Sequence, residues 1–302
     1  MISILIPIYN QNCSTLIEEL RRQAELLSIS YEIVAMDDAS FCYKEENRTA
    51  LSFPYCKFIE LPENIGRSAI RNRLAEMATY HYFLFMDCDT FPADSFFLQR
   101  YLFQIEDKKI PFVVCGGYKY SEQPPIARET LFRWKYGRNR EEISAENRQK
   151  FPYRYFSSFN FLIYREAFEA IHFDETISGY GYEDTWFGIQ LDQHKIPVYH
   201  IDNQMFQVFI DDLDLYLQKV RKAVKNLYGL YRNSTCKESL KDIRLVKAFQ
   251  KTEKYGLCGI FAWVFKSFQK FFERNFGSSN PSLFLFDIYR LSYLCVLKEE
   301  DK

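Results

Sequence analysis

An α/β protein built on a mainly parallel sheet is the fold class this sequence predicts, and three observations predict it. Short apolar runs rich in branched and aromatic residues alternate with helical patterns over the first 120 residues, which is the pattern of βαβ units. The turn Asn64-Ile65-Gly66 punctuates that alternation just where a helix should begin. Beyond Asp211 nearly everything carries helical periodicity, which adds a helical C-terminal lobe.

In chain order, strands are expected at 2–6, 31–36, 57–61, 82–86 and 111–116. Between them, Thr15 to Leu27 has apolar residues at helical spacing behind the candidate cap Ser14, and Arg67 to Thr79 follows the glycine turn. Both read as crossover helices. From 121 to 156 the pattern loosens into Pro124-Pro125 and a stretch rich in Arg and Glu, the composition of a mobile excursion of the kind that forms lids. Order returns with the alternating run Ser157 to Tyr164, and again at Gly179 to Gln190, where a glycine turn leads into a helix. Helices are then expected at 213–232, 238–254, 257–274 and 283–297, with breaks at Gly256 and at Gly277-Ser278-Ser279-Asn280-Pro281. This gives a catalytic domain over 1–210, with halves meeting near 117/118, and a helical region over 211–302.

Composition excludes several function classes. The chain's 39 Lys plus Arg balance 40 Asp plus Glu, so no basic field exists to hold a nucleic acid by counterion release. Aromatics reach 18%, with 29 Phe and 22 Tyr; flat sugar-binding surfaces, membrane-surface helices and a plain aromatic core would each produce this. The 8 cysteines are scattered without a CxxC pair, which favours reduced thiols in a cytoplasmic setting and argues against zinc. A strand opens the chain with no charged leader, so no signal peptide is expected. No P-loop, GxGxxG, HExxH or GxSxG occurs, and only 4 histidines are available, which removes most support for redox cofactor chemistry and serine hydrolysis.

The strongest local signal is Asp87-Cys88-Asp89, which ends the apolar run His81 to Met86. Strand ends of an open α/β sheet face the ligand crevice, and two carboxylates there repel unless a hard cation lies between them; a turn that merely favours Asp is the plainer alternative. Asp37-Asp38 ends a second strand, where a carboxylate could accept from a base N–H or a ribose hydroxyl, or simply cap a helix. Pro7-Ile8-Tyr9-Asn10 ends the first strand and offers a ring that could stack on a base or cover the sheet edge. Arg67, Arg71 and Arg73 flank the helix after Gly66, where a helix N-terminus and a guanidinium could together hold phosphate. Gly179-Tyr180-Gly181-Tyr182-Glu183-Asp184-Thr185-Trp186 joins glycines to adjacent carboxylates and aromatics; it reads as a presented general base with a sugar-stacking wall, or as acids that suit a helix start. Asp211, Asp212 and Asp214 read as caps.

Together, the first five of these segments resemble the family 2 glycosyltransferases of the GT-A fold, especially the bacterial branch that builds surface polysaccharides. The resemblance spans roughly residues 1–232, and its motifs fall in the family's order. It implies that Pro7, Tyr9, Asn10, Asp38, Asn64, Gly66, Arg67, Arg71, Asp87 and Cys88 form the nucleotide-sugar site. Within it Tyr9 would stack on the base, Asp38 would bind the uracil edge, and Asp87 would bind the ribose side. Asp89, with Asp87, would hold Mn²⁺ or Mg²⁺. Asp184 would deprotonate the acceptor hydroxyl with Glu183 binding sugar beside it, Tyr182 and Trp186 would line the acceptor subsite, and the anomeric carbon would invert. One position departs from the pattern: Gln207 stands where relatives carry a histidine that can join the metal shell, and a neutral amide is a weaker ligand for Mn²⁺ than imidazole.

The expected protein is thus a cytoplasmic, metal-dependent transferase acting on a nucleotide-sugar and a saccharide or lipid-linked acceptor. A nucleotidylyltransferase would need a glycine-rich, lysine-bearing first loop, which Asn10-Gln11-Asn12-Cys13 is not. A binding protein of the same fold that has lost catalysis is kept open by Gln207, and a structural scaffold leaves the carboxylates unexplained. The apolar-biased run Gly259 to Phe272, about 14 residues, is short of the roughly 20 needed to span a bilayer; segment 257–274 reads either as an interfacial helix at the inner membrane face or as a helix packed on the catalytic domain or in a dimer interface.

Overall fold

The computed structural model describes residues 1–107 and 111–301. Two compact units emerge, one formed by Met1–Ser121, Arg138–Ser178 and Glu183–Phe209, the other by Glu122–Gly137, Gly179–Tyr182 and the chain from Ile210 onward.

In the first unit the apolar runs become β1 (Ile2–Ile8), β2 (Tyr31–Asp37), β3 (Cys56–Glu60) and β4 (Tyr82–Met86). Then come β5 (Thr90–Pro92), β6 (Val113–Cys115), β7 (Tyr118–Lys119), β8 (Asn160–Tyr164), β9 (Val198–His200) and β10 (Met205–Gln207). The main sheet runs β3-β2-β1-β4-β8-β6-β9, and a small sheet runs β5-β10-β7. All main-sheet pairs are parallel except those of β8, which is antiparallel to both β4 and β6. The strand expected at 111–116 shrinks to Val113–Cys115, because the chain turns at Gly116-Gly117, where Gly117 has φ +99.

The helices of this unit are α1 (Ser14–Leu26), α2 (Lys44–Ala50), α3 (Arg67–Met77), α4 (Phe97–Asp107), α6 (Ala145–Gln149), α7 (Arg165–Ala170) and α8 (Glu183–Gln193), and α5 (Leu131–Arg140) runs from the second unit into it. Ser14 is not the cap of α1 but its first residue; its N–H and its hydroxyl both donate to Asn12 Oδ1, at 3.0 and 2.7 Å. The stretch 121–156 is not an unstructured excursion, since it carries α5 and α6. Ser144 caps α6 by accepting from the Asn147 N–H at 3.4 Å.

Both faces of the main sheet are covered, which is why its strands read as unbroken apolar runs. Ile4, Ile6 and Ile8 of β1 face α1 and α4, whereas Leu5 faces the side of α3, α7 and α8. On that second side Phe85 stacks on Phe161 with centroids 5.0 Å apart, and Phe173 on Phe187 at 4.3 Å. Each fully buried phenylalanine contributes about 1.5–3 kcal/mol. Much of the aromatic excess is therefore core.

The second unit contains α9 (Leu213–Arg232), α10 (Ser234–Lys237), α11 (Arg244–Lys254), α12 (Cys258–Phe276) and α13 (Leu283–Glu300). The helix expected over 238–254 opens as a 3-10 turn at Glu238–Leu240 and becomes α11 only at Arg244. Asp212 caps α9, accepting from the Leu215 N–H at 2.9 Å, while Asp211 is no cap but holds Lys219 with both oxygens at 2.7 Å. Phe132, brought in by the segment 122–137, stacks on Phe276 at 4.8 Å and meets Phe286 edge-on at 5.0 Å.

Candidate active site

In the order β3-β2-β1-β4 the chain starts in the middle, so the connections leave β1 to opposite sides and open a crevice at the carboxyl ends of β1 and β4. The pairing itself shows the opening. β1 follows β2 as far as Ile8↔Asp37 but leaves β4 after Leu5↔Phe85. Pro7 lies beyond that last β1/β4 pair, where its missing N–H costs no ladder bond.

Just past β1, Tyr9 stands half exposed with its ring 6.0 Å from that of Phe41, edge to face. Asn10, held at φ 53, ties this end to the loop after β2: its N–H donates to Ser40 Oγ at 2.7 Å and its Oδ1 accepts from the Phe41 N–H at 2.9 Å. Phe41 is 82% exposed, and no sequence motif marked it. Its signal is only three-dimensional, since a large apolar ring is held out in water beside Tyr9.

Asp38 has a structural task that the sequence did not reveal. Its Oδ1 accepts from the Ile65 N–H at 2.7 Å and its Oδ2 from the Gly66 N–H at 3.1 Å, while Asn64 Nδ2 donates to the Asp38 carbonyl at 3.2 Å. The loop Asn64-Ile65-Gly66 is thereby pinned to the end of β2. Gly66 takes φ +86 at the N-terminus of α3, a conformation that costs other residues strain. Burial raises the Asp38 carboxyl above its ordinary value.

One turn into α3, Arg71 is 1% exposed and donates from Nη2 to Asp87 Oδ1 at 2.7 Å. Arg67 donates from Nη2 to Asp87 Oδ2 at 3.2 Å and lies with Nε 3.8 Å from Glu183 Oε1. These contacts bring the acids after β4 and those opening α8 onto one pair of arginines. The second oxygen of Glu183, Oε2, is buried without a hydrogen-bond partner. Beside it, Asp184 is raised to about 7, first by burial and then by the charge of Glu183, with Arg71 and Arg67 opposing. Trp186 sits half-buried in the first turn of α8. Tyr182 belongs to the second unit, in a left-handed conformation at φ 71.

Cys88 is half-buried, and its thiol is pushed well above the ordinary range by desolvation and by Asp89. Asp89 itself is raised to about 6 by burial and by the neighbouring Asp87. Its Oδ2 accepts from Gln207 Nε2 at 2.7 Å, and the same nitrogen donates to the Phe209 carbonyl at 2.9 Å. His200 takes no part here; it is buried between Arg148 and the Pro152 carbonyl and is lowered to about 4 by that burial.

Among the described residues no group of three or more His, Cys, Asp or Glu is arranged to hold a metal. The chemistry of the pair still fits a hard divalent cation that takes its other ligands from diphosphate oxygens and water. Asp87 is engaged by two arginines, and a cation at Asp89 would offset the burial and the charge of Asp87 that raise it. Gln207 presents its NH₂ group to Asp89, so its amide would have to turn over to offer an oxygen.

Residues 3–171, more than half of the chain, match the profile of glycosyl transferase family 2. No curated protein matches the sequence. Among solved structures, the mannosyltransferase PcManGT from Pyrobaculum calidifontis, in complex with GDP-Man and Mn²⁺, is similar with a TM-score of 0.58 at 14% identity. That alignment covers 99% of this chain and 86% of PcManGT, and it bears on fold alone. TarS 1-349 of S. aureus aligns over 99% of this chain and 91% of its own at 16% identity, with a TM-score of 0.48. The fold is α/β of the GT-A type with a helical C-terminal part, and with its motifs at the carboxyl ends of β1, β2 and β4 the chain belongs to glycosyl transferase family 2.

Proposed function

We propose that this protein transfers a sugar from a nucleotide-sugar, a UDP-sugar foremost, to a saccharide or lipid-linked saccharide acceptor in surface polysaccharide or lipopolysaccharide synthesis, with inversion at the anomeric carbon. The observation that carries the reading is the pair opening α8: Asp184 raised to about 7 beside Glu183, whose buried Oε2 has no partner. A carboxylate of that basicity is matched to removing a proton from a sugar hydroxyl near neutral pH, and the orphaned oxygen of Glu183 is free to accept from a sugar hydroxyl.

As the acceptor oxygen bonds to the anomeric carbon, its proton passes to Asp184, and the bond to the diphosphate breaks with its electron pair leaving on phosphate oxygen. Tyr9 and Phe41 offer faces for the base. Arg67 and Arg71 hold Asp87 in place for the ribose. A divalent cation at Asp89, Mn²⁺ or Mg²⁺, would neutralise the charge growing on the departing diphosphate. Trp186 would line the acceptor side. A cytoplasmic location accompanies the reading, in keeping with eight cysteines that form no disulfide.

A panel of nucleotide-sugars, scored for nucleotide release with and without Mn²⁺, tests the reading on the wild type, Asp89→Ala and Asp184→Asn. Turnover of one donor only with metal, lost in both variants while Asp184→Asn still binds nucleotide, is the expected result. Nucleotide binding without turnover of any donor would instead favour a binding protein, and failure to bind any nucleotide would overturn the proposal.

A further inference from the structure

The outward face of α12 has no task in sugar transfer and is built unlike a solvated helix. Its inward residues Ala262, Phe265 and Phe272 are buried, with Phe265 5.0 Å from Tyr289 of α13. On the opposite side Ile260, Trp263 and Phe271 are exposed, Trp263 by 60%. At 3.6 residues per turn, Trp263, Ser267 and Phe271 form one ridge, and Lys266, Lys270 and Arg274 form the ridge beside it. One edge of the outward face is therefore aromatic and the other cationic. Lys266 and Lys270 are exposed and make no ion pair or hydrogen bond among the described residues. The helix's single acid, Glu273, is engaged elsewhere: its Oε1 lies 3.3 Å from Arg221 and accepts from Gln269 at 2.8 Å.

We infer that α12 is a docking face for an anionic lipid surface, lying in the membrane plane with Trp263 and Phe271 at the headgroup boundary and Lys266, Lys270 and Arg274 against lipid phosphates. Aromatics on one edge and cations on the next are the composition of an interfacial helix. No helix among the described residues is long and apolar enough to cross a membrane, so α12 lies on a bilayer rather than spanning it. A second copy of the chain is a poor occupant, because a two-fold pairing of these faces would set the cations against their own copies with no carboxylate on the face to answer them. The inference stands whether or not the transfer reaction does, since its test involves no donor.

The full-length protein is sedimented with vesicles of phosphatidylcholine alone and of phosphatidylcholine mixed with phosphatidylglycerol, and tryptophan emission is followed in parallel. Binding to the anionic vesicles only, weakened by salt and accompanied by a blue shift, is expected. Lys266→Glu with Lys270→Glu should weaken it by at least about 25-fold, roughly fivefold for each positive charge removed and more from the carboxylates added. Trp263→Ser with Phe271→Ser should weaken it at least as much and remove the blue shift. These side chains are exposed, so thermal midpoints should stay at the wild-type value; Lys266→Glu alone serves if a double variant melts early. No sedimentation of the wild type, equal binding to neutral vesicles, or indifference to both double variants would overturn the inference. So would a dimer in solution that Trp263→Ser with Phe271→Ser dissolves.

Discussion

Arg71, a fully buried guanidinium, donates to Asp87 at 2.7 Å from within the first turns of α3. The first carboxylate of the Asp-Cys-Asp element is thus fixed from beneath by a cation that has no route to water. Burying a charge this way is tolerable only while its partner is ionised. Asp87→Asn is therefore expected to cost about 3 kcal/mol in urea unfolding, on top of any loss of activity. An unchanged midpoint would show that the Arg67 carbonyl, 3.4 Å from Arg71 Nη1, suffices to hold the guanidinium.

A pH profile should carry the signature of Asp184. With its carboxyl raised to about 7, the base is protonated below that value and free above it, so the transfer rate should climb through pH 7 and then level. Asp184→Asn should lower turnover by roughly 10²–10⁴-fold and flatten the profile. Stability moves the other way. The folded protein holds this proton where the unfolded chain has lost it, so the favourable contribution is complete below about pH 4 and is lost by the time the pH passes 7. Asp184→Asn should accordingly be more stable than wild type at pH 8, and chemical denaturation at pH 5 and pH 8 would reveal the difference.

Gln207→His should raise affinity for Mn²⁺ by roughly tenfold or more. The present amide donates to Asp89 and to the Phe209 carbonyl, and imidazole would replace that donor with a ligand. Titration of Mn²⁺ into the nucleotide-bound protein reads this without any turnover. Equal affinity in the two proteins would mean that position 207 lies outside the metal shell.

If the base lies against Tyr9 and Phe41, removing either ring should weaken nucleotide binding. About 1–3 kcal/mol per stacked ring corresponds to a loss of roughly fivefold to over a hundredfold. Calorimetric titration of UDP into Tyr9→Ala and Phe41→Ala would measure it, and a Phe41→Ala protein that binds like wild type would leave Tyr9 as the lone platform.

Gly181→Ala probes the turn before α8. The added Cβ would come within 2.4 Å of the Ala223 Cβ and 3.1 Å of its Cα, at a φ of +94. A cost of about 1–3 kcal/mol is expected. At Gly66 a Cβ meets nothing within 4 Å, so Gly66→Ala should cost only the strain of φ +86, about 1 kcal/mol. Parallel thermal melts would rank the two.

The sheet was legible because strands buried on both faces must be continuously apolar, and β1, β2 and β4 fell where that rule put them. α4 escaped notice because it follows the acidic element after only a short strand, and the polar residues of 121–156 hid two helices whose burial depends on distant partners. At the site, motif order located the crevice but not the traffic within it. That Asp38 clips the Ile65–Gly66 loop, that Arg71 is buried, and that Phe41 stands beside Tyr9 are facts of three-dimensional neighbourhood, and residue type and spacing do not encode them.

Phe132 completes its stack on Phe276 only when almost half of the chain has been made in between. At the usual pace of translation, roughly 5–20 residues per second, that leaves the ring without its partner for about 7–30 s on the ribosome. The C-terminal helices are thus not an appendage that could be trimmed away or transplanted by cutting near residue 210. Their hydrophobic centre includes a side chain synthesised long before them, so a shortened gene would yield a product with an orphaned aromatic and a need for chaperones.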